Sequence, residues 1–268
     1  MKTLAFLALT INIFSTTYAS NGHLERPLLA YDYKPLMYLV GKEPTGIFVD
    51  FFEIIAKEMD LKFATDFLPA ARAIYQTSKD EKNILLSTRL IQTDEMKKKF
   101  IFIKILEFKA TLNGYKKDVS KMSSLKDLKG MTLVYFRGNN FSKVFANAYG
   151  MTPLPVNSVD QEVKMVEKGR AAFHLCVVEN CFIRVKSLAN QKLDNFDFES
   201  FEVARSYLEI MLKKTPKNRE LAKRIEQAYR SKKVQQQFDD YFKKYSSEYP
   251  TGITWKHLLK DSLIEEFN

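Results

Sequence analysis

Apolar and polar residues alternate along the chain in the spacings of strands and helices. An apolar run at residues 27–31 is followed, from Gly46 to Met59, by apolar positions that recur at helical spacing. Further segments continue in turn, with a strand at 61–67, a helix at 70–78 and a strand at 83–87. Because this order requires crossover connections, it predicts parallel strands with helices packed on them.

The same rhythm returns in the second half of the chain. A short helix is predicted at 123–130, with Ser123 or Ser124 as its N-cap and Gly130 at its end. The segments that follow are a strand at 131–136, a turn at 137–140, helices at 141–150 and 158–169, strands at 171–178 and 205–214, and helices at 217–230 and 232–246. The pattern therefore predicts an α/β fold of two units joined by extended segments.

The first 19 residues have the layout of a secretory signal peptide. Lys2 precedes an apolar stretch from Leu4 to Phe14, and small residues lead to Ala19, where cleavage is expected. The apolar stretch is too short to span a bilayer. We therefore predict export to the periplasm. Cleavage would lower the formal net charge from +10 to +9, since Lys2 is the one charged residue removed.

The positive charge does not indicate a nucleic-acid-binding protein. The lysines are spread along the chain and interleaved with acidic residues, and no basic stretch with interleaved aromatic residues is present. We interpret most of these charges as solvated surface. No nucleic-acid partner is expected, and the protein is expected to be a monomer.

The two cysteines are too few for a disulfide framework. Cys176 and Cys181 could form one local bridge in an oxidising compartment, or they could remain buried thiols. His174 shares a strand face with Cys176, and together with Cys181 the two could suggest a metal site. A fourth ligand is not evident, so neither a metal site nor a cofactor is predicted.

Five stretches, taken in order, resemble the periplasmic solute-binding proteins of family 3, the polar amino-acid-binding type of ABC transporters. They are "GIFVDFFEIIAKEM", "TDEMKKKFIF", "SSLKDLKGMTLVYFRGNN", "EKGRAAFHL" and the long C-terminal stretch that starts "YLEIMLKK". No single stretch is diagnostic, but the ordered set is specific and covers nearly all of residues 27–245.

The resemblance implies a two-lobe, type II-like periplasmic binding protein fold, in which each lobe is a mainly parallel sheet flanked by helices. Two hinge crossings, near 105–112 and 201–208, would let the lobes close on a ligand. The expected parts are a signal peptide at 1–19, a first lobe at 20–108 that is completed by 203–246, a second lobe at 109–202, and a C-terminal extension at 247–268.

An arginine at the end of an apparently buried strand is the first candidate for a ligand contact. Arg89 and Thr88 follow the predicted strand at 83–87, and ligands of open α/β sheets bind at the carboxyl ends of strands. Arg89 would present a planar set of donors to a carboxylate or phosphate. By the resemblance, Thr88 lies in a segment that supplies hydroxyl contacts. The alternative for Arg89 is a surface ion pair with a neighbour such as Asp94.

The resemblance also points to Asp32 and Tyr33, in a loop where relatives place an acid and an aromatic ring against the ligand. Two positions of the first lobe depart from the pattern of relatives. Met96 stands where amino-acid-binding relatives usually carry the arginine for the ligand carboxylate, and Ala71 stands where they often carry a large aromatic residue. Either Arg89 binds the anion instead, or the ligand is not a free α-amino acid.

A second anion site is predicted in the second lobe. Arg137 and Gly138 lead into a helix whose first backbone N–H groups, near Asn139 and Asn140, would face the cleft. Relatives use this segment for the ligand carboxylate, although a simple capped turn explains the same residue types. By strict register, Cys176 or Val177 stands where relatives carry an acid for the ligand amino group, and Glu179 is the nearest carboxylate, which fits only if the turn is longer.

The predicted function is capture of a small polar solute, anionic or amino-acid-like, and its transfer to the inner-membrane permease of an ABC-type transporter. No catalysis is predicted. One alternative is an orphan sensor or interaction protein that has lost amino-acid binding. Another is a dehydratase-like enzyme on the same scaffold, for which Asp32 and Glu179 are the candidate acids.

Overall fold

The computed structural model describes residues 26–33, 36–137, 140–157, 159–177, 198–248 and 263–267. The predicted signal peptide at 1–19 lies outside these residues. The strands are β1 (Arg26–Ala30), β2 (Tyr38–Val40), β3 (Glu43–Thr45), β4 (Phe63–Phe67), β5 (Ile84–Thr88), β6 (Phe100–Tyr115), β7 (Thr132–Phe136), β8 (Thr152–Val156), β9 (Phe173–Val177), β10 (Phe198–Lys213) and β11 (Ile264–Glu265). The helices are α1 (Ile47–Glu58), α2 (Ala70–Lys79), α3 (Asp94–Lys99), α4 (Lys116–Val119), α5 (Asn140–Ala148), α6 (Val159–Glu167), α7 (Pro216–Arg230) and α8 (Lys232–Glu248), with 3₁₀ helices η1 (Arg89–Ile91) and η2 (Leu125–Leu128).

A single mixed sheet runs through the described part of the molecule. Its strand order is β4-β1-β5-β10-β6-β9-β7-β8, with β11 also pairing β6. Strand β1 is parallel to β4 and β5, and β7 is parallel to β8 and β9, which confirms the parallel pairing predicted from the alternation of strands and helices. In the centre, β10 is antiparallel to β5 and β6, and β6 is antiparallel to β9.

Two unusually long strands connect the two halves of this sheet. Strands β6 and β10 have 16 residues each, about three times the usual strand length. They pair antiparallel from Phe100 opposite Lys213 to Tyr115 opposite Phe198. The predicted crossings at 105–112 and 201–208 fall in the middle of these strands.

The buried apolar side chains form separate clusters on either side of this middle region. The larger cluster contains residues of β1, α1, β5, α7 and α8 together with the first part of β6, as far as Phe108. A second cluster starts at Leu112 on the same strand and contains residues of α5 and β9. We call the part around the larger cluster the first lobe and the part around the second cluster the second lobe.

Helix α1 shows how the sequence forms the core of the first lobe. The helix follows Gly46, whose φ of 124° lies in a region that glycine adopts without strain. Its buried side chains include Phe48, Phe51 and Phe52. The ring of Phe51 packs edge-on against Phe238 of α8, with centroids 4.5 Å apart. The C-terminal helices therefore pack on the first lobe.

Four short strands were not predicted from the sequence pattern. Strands β2 and β3 form a short hairpin between the first strand and α1. Strand β8 contains Pro153 and Pro155, which lack a donor N–H but are tolerated because β8 is the last strand in the sheet order. Strand β11 has only two residues, too few for any periodicity to reveal.

Candidate functional site

A cavity of about 650 Å³ lies at the carboxyl ends of β1, β4 and β5, where the sequence predicted the ligand site. A cavity of this volume is in the usual range for a small-molecule site. Residues from the first lobe form most of the wall, and Arg137 contributes from the second lobe. The lining residues are Tyr31, Asp32, Tyr33, Leu39, Phe67, Leu68, Pro69, Ala70, Ala71, Ile74, Thr88, Leu90, Ile91, Thr93, Met96 and Arg137.

The wall is mainly apolar. Aliphatic and aromatic side chains predominate, and the charged side chains among the lining residues are those of Asp32 and Arg137. The two first-lobe positions that depart from the pattern of relatives, Met96 and Ala71, lie in this wall. The absence of an arginine and of a large ring at these two positions leaves the wall apolar and the cavity wide.

The short helix α3 contributes to this wall. Thr93 caps the helix, because its hydroxyl accepts a hydrogen bond of 3.2 Å from the backbone N–H of Met96. Thr93 and Met96 both line the cavity. The helix cap therefore fixes the direction of two lining residues.

Arg89 is not among the residues that line the cavity. Its Nε donates to Oε1 of Glu209 at 2.9 Å, and its guanidinium also pairs with Glu265. The guanidinium lies over the ring of Tyr207, 4.5 Å from the centroid. Asp94, the neighbour considered as a partner from the sequence, instead pairs with Lys97 at 3.0 Å.

The direction of Arg89 follows from strand geometry. Successive side chains of an extended chain point to opposite faces, and Thr88 before it is extended and lines the cavity. Arg89 therefore points away from the cavity, toward Glu209 on the neighbouring strand β10. The carboxylate of Glu209 is completely buried, and the side chain of Gln92 also donates to it.

Two buried groups, Tyr31 in the wall and Glu209 behind it, have shifted pKa values. Burial raises the pKa of the Glu209 carboxyl to about 7, although Arg89 and Gln92 oppose the shift. Burial also raises the pKa of the Tyr31 hydroxyl to about 12, so this lining residue stays neutral at physiological pH. Behind the cavity the protein thus holds a carboxyl group that titrates near neutral pH.

The structure brings four of the predicted ligand residues to the cavity, namely Asp32, Tyr33, Thr88 and Arg137. Asp32 is exposed at the wall, and Thr88 is buried there. Arg137 follows β7 and is exposed, while its backbone N–H donates to Val156 at 2.9 Å. Within the described part of the chain, no carboxylate forms an ion pair with Arg137.

The remaining predicted ligand residues are not placed. Gly138, Asn139 and Glu179 lie outside the described residues. Asn140 is the first residue of α5, and the structure describes its backbone but not its side chain. The sequence did not single out Leu90 and Ile91, which follow Arg89 and line the cavity. Their place in the cavity could have been inferred from the sequence, since they also follow the carboxyl end of β5.

The possible metal ligand His174 is buried in the second lobe, with Nδ1 3.9 Å from Oε2 of the buried Glu162. The side chain of Cys176 and the whole of Cys181 lie outside the description. Where the chain is described, no group of three or more His, Cys, Asp or Glu side chains could hold a metal ion. None of the described helices is long and apolar enough to cross a membrane.

Comparison with known proteins gives one similar sequence among curated proteins. "Probable amino-acid-binding protein YxeM" of Bacillus subtilis is 31% identical over 111 residues, which are 41% of this chain and 41% of that protein. The match thus spans about two fifths of the relative's length. No protein-family model matches the chain.

Solved structures match over most of the chain. The ligand-binding core of GluR0 in complex with L-glutamate has a TM-score of 0.66 and 14% identity, and the match covers 85% of this chain and 99% of that one. A histidine kinase sensor domain with similarity to periplasmic binding proteins has a TM-score of 0.64 and 11% identity, covering 88% and 98%. The resemblance stated from the sequence is therefore confirmed at the level of the fold, and this chain has the two-lobe α/β fold of the periplasmic solute-binding proteins.

Proposed function

We propose that the protein binds a small solute in the cavity and that closure of the two lobes encloses it. The observation that carries this proposal is the composition of the cavity, in which an apolar wall from the first lobe faces Arg137 from the second. A concave apolar site with a few polar groups is the usual form of a small-molecule site. The hinge would be the middle of β6 and β10, with lobes divided as the sequence predicted.

The charges and the wall together define the solute that would fit. Arg137 supplies a cation for a carboxylate or another anionic group. Asp32 and Tyr33 are suited to an amine or to a polar end of the same molecule. The apolar wall around Ala71 and Met96 favours a solute that also carries an apolar group. We therefore propose a small carboxylate or amino-acid-like molecule with an apolar side chain.

Transfer of this solute to an inner-membrane permease after export to the periplasm is part of the same proposal. It is supported by the signal-peptide pattern at residues 1–19 and by the fold. The protein with a matching sequence is named a probable amino-acid-binding protein, and one protein with a matching structure is a ligand-binding core in complex with L-glutamate. The binding protein would act as a monomer and would break no bond.

Thermal unfolding with a panel of solutes tests the proposal. The panel contains amino acids, apolar carboxylates, dicarboxylates, short peptides and amines, added after the protein has been unfolded and refolded to remove any ligand carried over. A solute at a hundred times its Kd adds about 2.7 kcal/mol to the free energy of unfolding. For a chain of this size we expect a rise in Tm of roughly 5 to 10 °C.

A matched pair of variants connects a shift to the cavity. Arg137→Ala and Arg72→Ala each remove one exposed arginine, but only Arg137 lines the cavity. We expect Arg137→Ala to abolish the shift and Arg72→Ala to keep it. Equal shifts in both variants would show that binding occurs elsewhere and would contradict the proposed site.

A sensor or interaction protein without solute binding is the second candidate. The pairing of Arg89 with Glu209 and Glu265 favours it, because this arginine is held by the protein's own acids. If no solute of the panel raises the Tm of protein that refolds cooperatively, this candidate is supported. A solute that binds but is recovered chemically altered would instead support the dehydratase-like alternative.

A further inference from the structure

The C-terminal segment Leu263–Phe267 packs on the first lobe beside the strand that leads to the hinge. Strand β11 within it pairs antiparallel with β6, with Ile264 opposite Ile103. The carbonyl of Leu263 accepts a 2.9 Å hydrogen bond from the N–H of Lys104, and the side chain of Leu263 is completely buried in the core. The segment is thus an integral part of the sheet.

Two adjacent glutamates of this segment have different partners. Glu265 pairs with Arg89 and, at 3.1 Å, with Lys104. Glu266 pairs with Arg219 of α7 at 2.6 Å and lies 3.8 Å from Lys214. Because neighbouring residues of a strand point to opposite sides, only Glu265 reaches the region behind the cavity.

Arg89 connects Glu265 to the wall of the cavity. Arg89 is the first residue of η1, and the next two, Leu90 and Ile91, line the cavity. The N–H of Gln92 donates to the carbonyl of Arg89 at 3.1 Å, which closes the turn. The ion pairs of Arg89 therefore hold the same short turn that carries this part of the wall.

Helix η1 is also close to the second lobe. Helix α5 of the second lobe lies within 8 Å of η1 between Cα atoms. Leu90 and Ile91 of η1 thus border the cavity, α5 lies close to the same helix, and Arg89 ties its first residue to Glu209 and Glu265. A change in the position of Arg89 would therefore be expected to displace the helix that lies next to α5.

We propose that Glu265 of the C-terminal segment is a positioning residue for the solute cavity, acting through Arg89 on the wall formed by η1. That the wall belongs to a solute site rests on the proposed function. The mechanical link from Glu265 to η1 does not depend on any solute. It gives the C-terminal segment a role in the binding site although the segment itself does not line the cavity.

Hydrogen exchange of the full-length chain tests this link with a matched control. Glu265→Gln and Glu266→Gln each remove one charge from adjacent positions, but only the first loses an ion pair with Arg89. We expect Glu265→Gln to increase the exchange rate of the amides of residues 88–92 at least threefold. Glu266→Gln should leave these amides unchanged and act instead at the start of α7, where Arg219 lies.

Unchanged exchange at residues 88–92 in Glu265→Gln would overturn the proposal. So would an equal increase throughout the first lobe, including α1, because that would indicate general loss of stability without a local effect. Lys104→Gln, which removes the other partner of Glu265, should leave η1 slower to exchange than Glu265→Gln does. A silent solute panel would contradict the proposed function alone and would leave the exchange result standing.

Discussion

The guanidinium of Arg89 donates from Nε to the carboxylate of Glu209 at 2.9 Å, and this carboxylate is completely buried while the side chain of Arg89 remains 30% exposed. The positive charge of Arg89 therefore compensates the buried negative charge of Glu209 on the neighbouring strand β10. It does so at the end of β5, one residue after Thr88, which lines the cavity. At the end of β5, Thr88 therefore lines the cavity, and the next residue, Arg89, pairs with an acid in the interior of the first lobe.

Replacement of Arg89 should destabilise the protein in a pH-dependent way. Arg89→Met keeps an apolar stem over Tyr207 but leaves Glu209 without its cation. Removing one partner of a buried ion pair costs roughly 3 to 5 kcal/mol. We expect a cost near the lower end of that range at pH 8, and a smaller cost at pH 5.5, where Glu209 is protonated in the folded state. Urea unfolding at the two pH values measures the difference.

Arg205→Met is the control for this variant. Arg205 also pairs with two acids, Glu202 and Glu107, but its side chain is 56% exposed. We expect little change in stability at either pH, since exposed ion pairs contribute little. An equal effect of the two substitutions would show that burial of Glu209 is not what makes Arg89 important.

Glu209 should make stability fall as the pH rises toward neutrality. Burial raises its pKa from the ordinary 4.5 to about 7. Between these values the folded protein holds a proton that the unfolded chain has released, so the free energy of unfolding decreases with increasing pH. The full shift corresponds to at most roughly 3 kcal/mol. Glu209→Gln should remove this slope between pH 5 and 8, measured by urea unfolding at closely spaced pH values.

Glu202→Gln provides a comparison of opposite sign. A hydrogen bond from Lys109 lowers the pKa of Glu202, which is largely exposed. Its contribution to stability is present above pH 4.5 and is lost as the pH falls, so this variant should change the profile only at acidic pH.

If Glu209→Gln kept the wild-type slope between pH 5 and 8, the slope would not come from Glu209, and the carboxyl group of Glu209 would be ionised throughout that range in the folded protein.

Local rules predicted much of the first lobe because the interactions involved are short-range. The helix that begins after Gly46 and the helix predicted at 70–78 both depend on residues close in sequence. The ordered alternation of strands and helices also sufficed for the parallel pairs. These features required no knowledge of distant contacts.

The partners of Arg89 could not be predicted in the same way. Glu209 and Glu265 are 120 and 176 residues away in sequence, and nothing in either local pattern connects them to β5. Strand alternation would have indicated that Thr88 and Arg89 face opposite sides, but not which side borders the cavity. The two-residue strand β11 is formed by tertiary contacts alone, and for this reason the C-terminal extension gave no signal.

Met96→Arg should add an anion contact to the cavity. Met96 lines the apolar wall at the position where, by the resemblance, amino-acid-binding relatives carry an arginine. A guanidinium there would form charged hydrogen bonds with a carboxylate in a site sheltered from water. We expect at least tenfold tighter binding of amino acids or dicarboxylates, seen as a larger rise in Tm at the same concentration.

Met96→Leu keeps the wall apolar and serves as the control. It should bind the panel as the wild type does. If Met96→Arg folds stably but gains no affinity for any carboxylate, the arginine side chain does not reach a solute in this cavity, and the proposed placement of the solute against α3 is contradicted.

Gly114 on β6 should tolerate no side chain, because the backbone of the second lobe approaches it closely. A Cβ atom at this position would lie 2.5 Å from the carbonyl oxygen of Ala172 and 2.7 Å from the ring of Phe173. Gly114 pairs with Phe173 where β9 joins β6, so relief of the overlap requires these strands to separate. Gly114→Ala should therefore lower the free energy of unfolding in urea by roughly 1 to 3 kcal/mol, in the range of overpacked sites.

Gly41→Asn is the comparison, since an added Cβ meets nothing within 4 Å there and Asn tolerates the positive φ of 65°. A Gly114→Ala protein as stable as Gly41→Asn would mean that β6 and β9 are free to shift apart at the point where the second lobe joins the hinge strand.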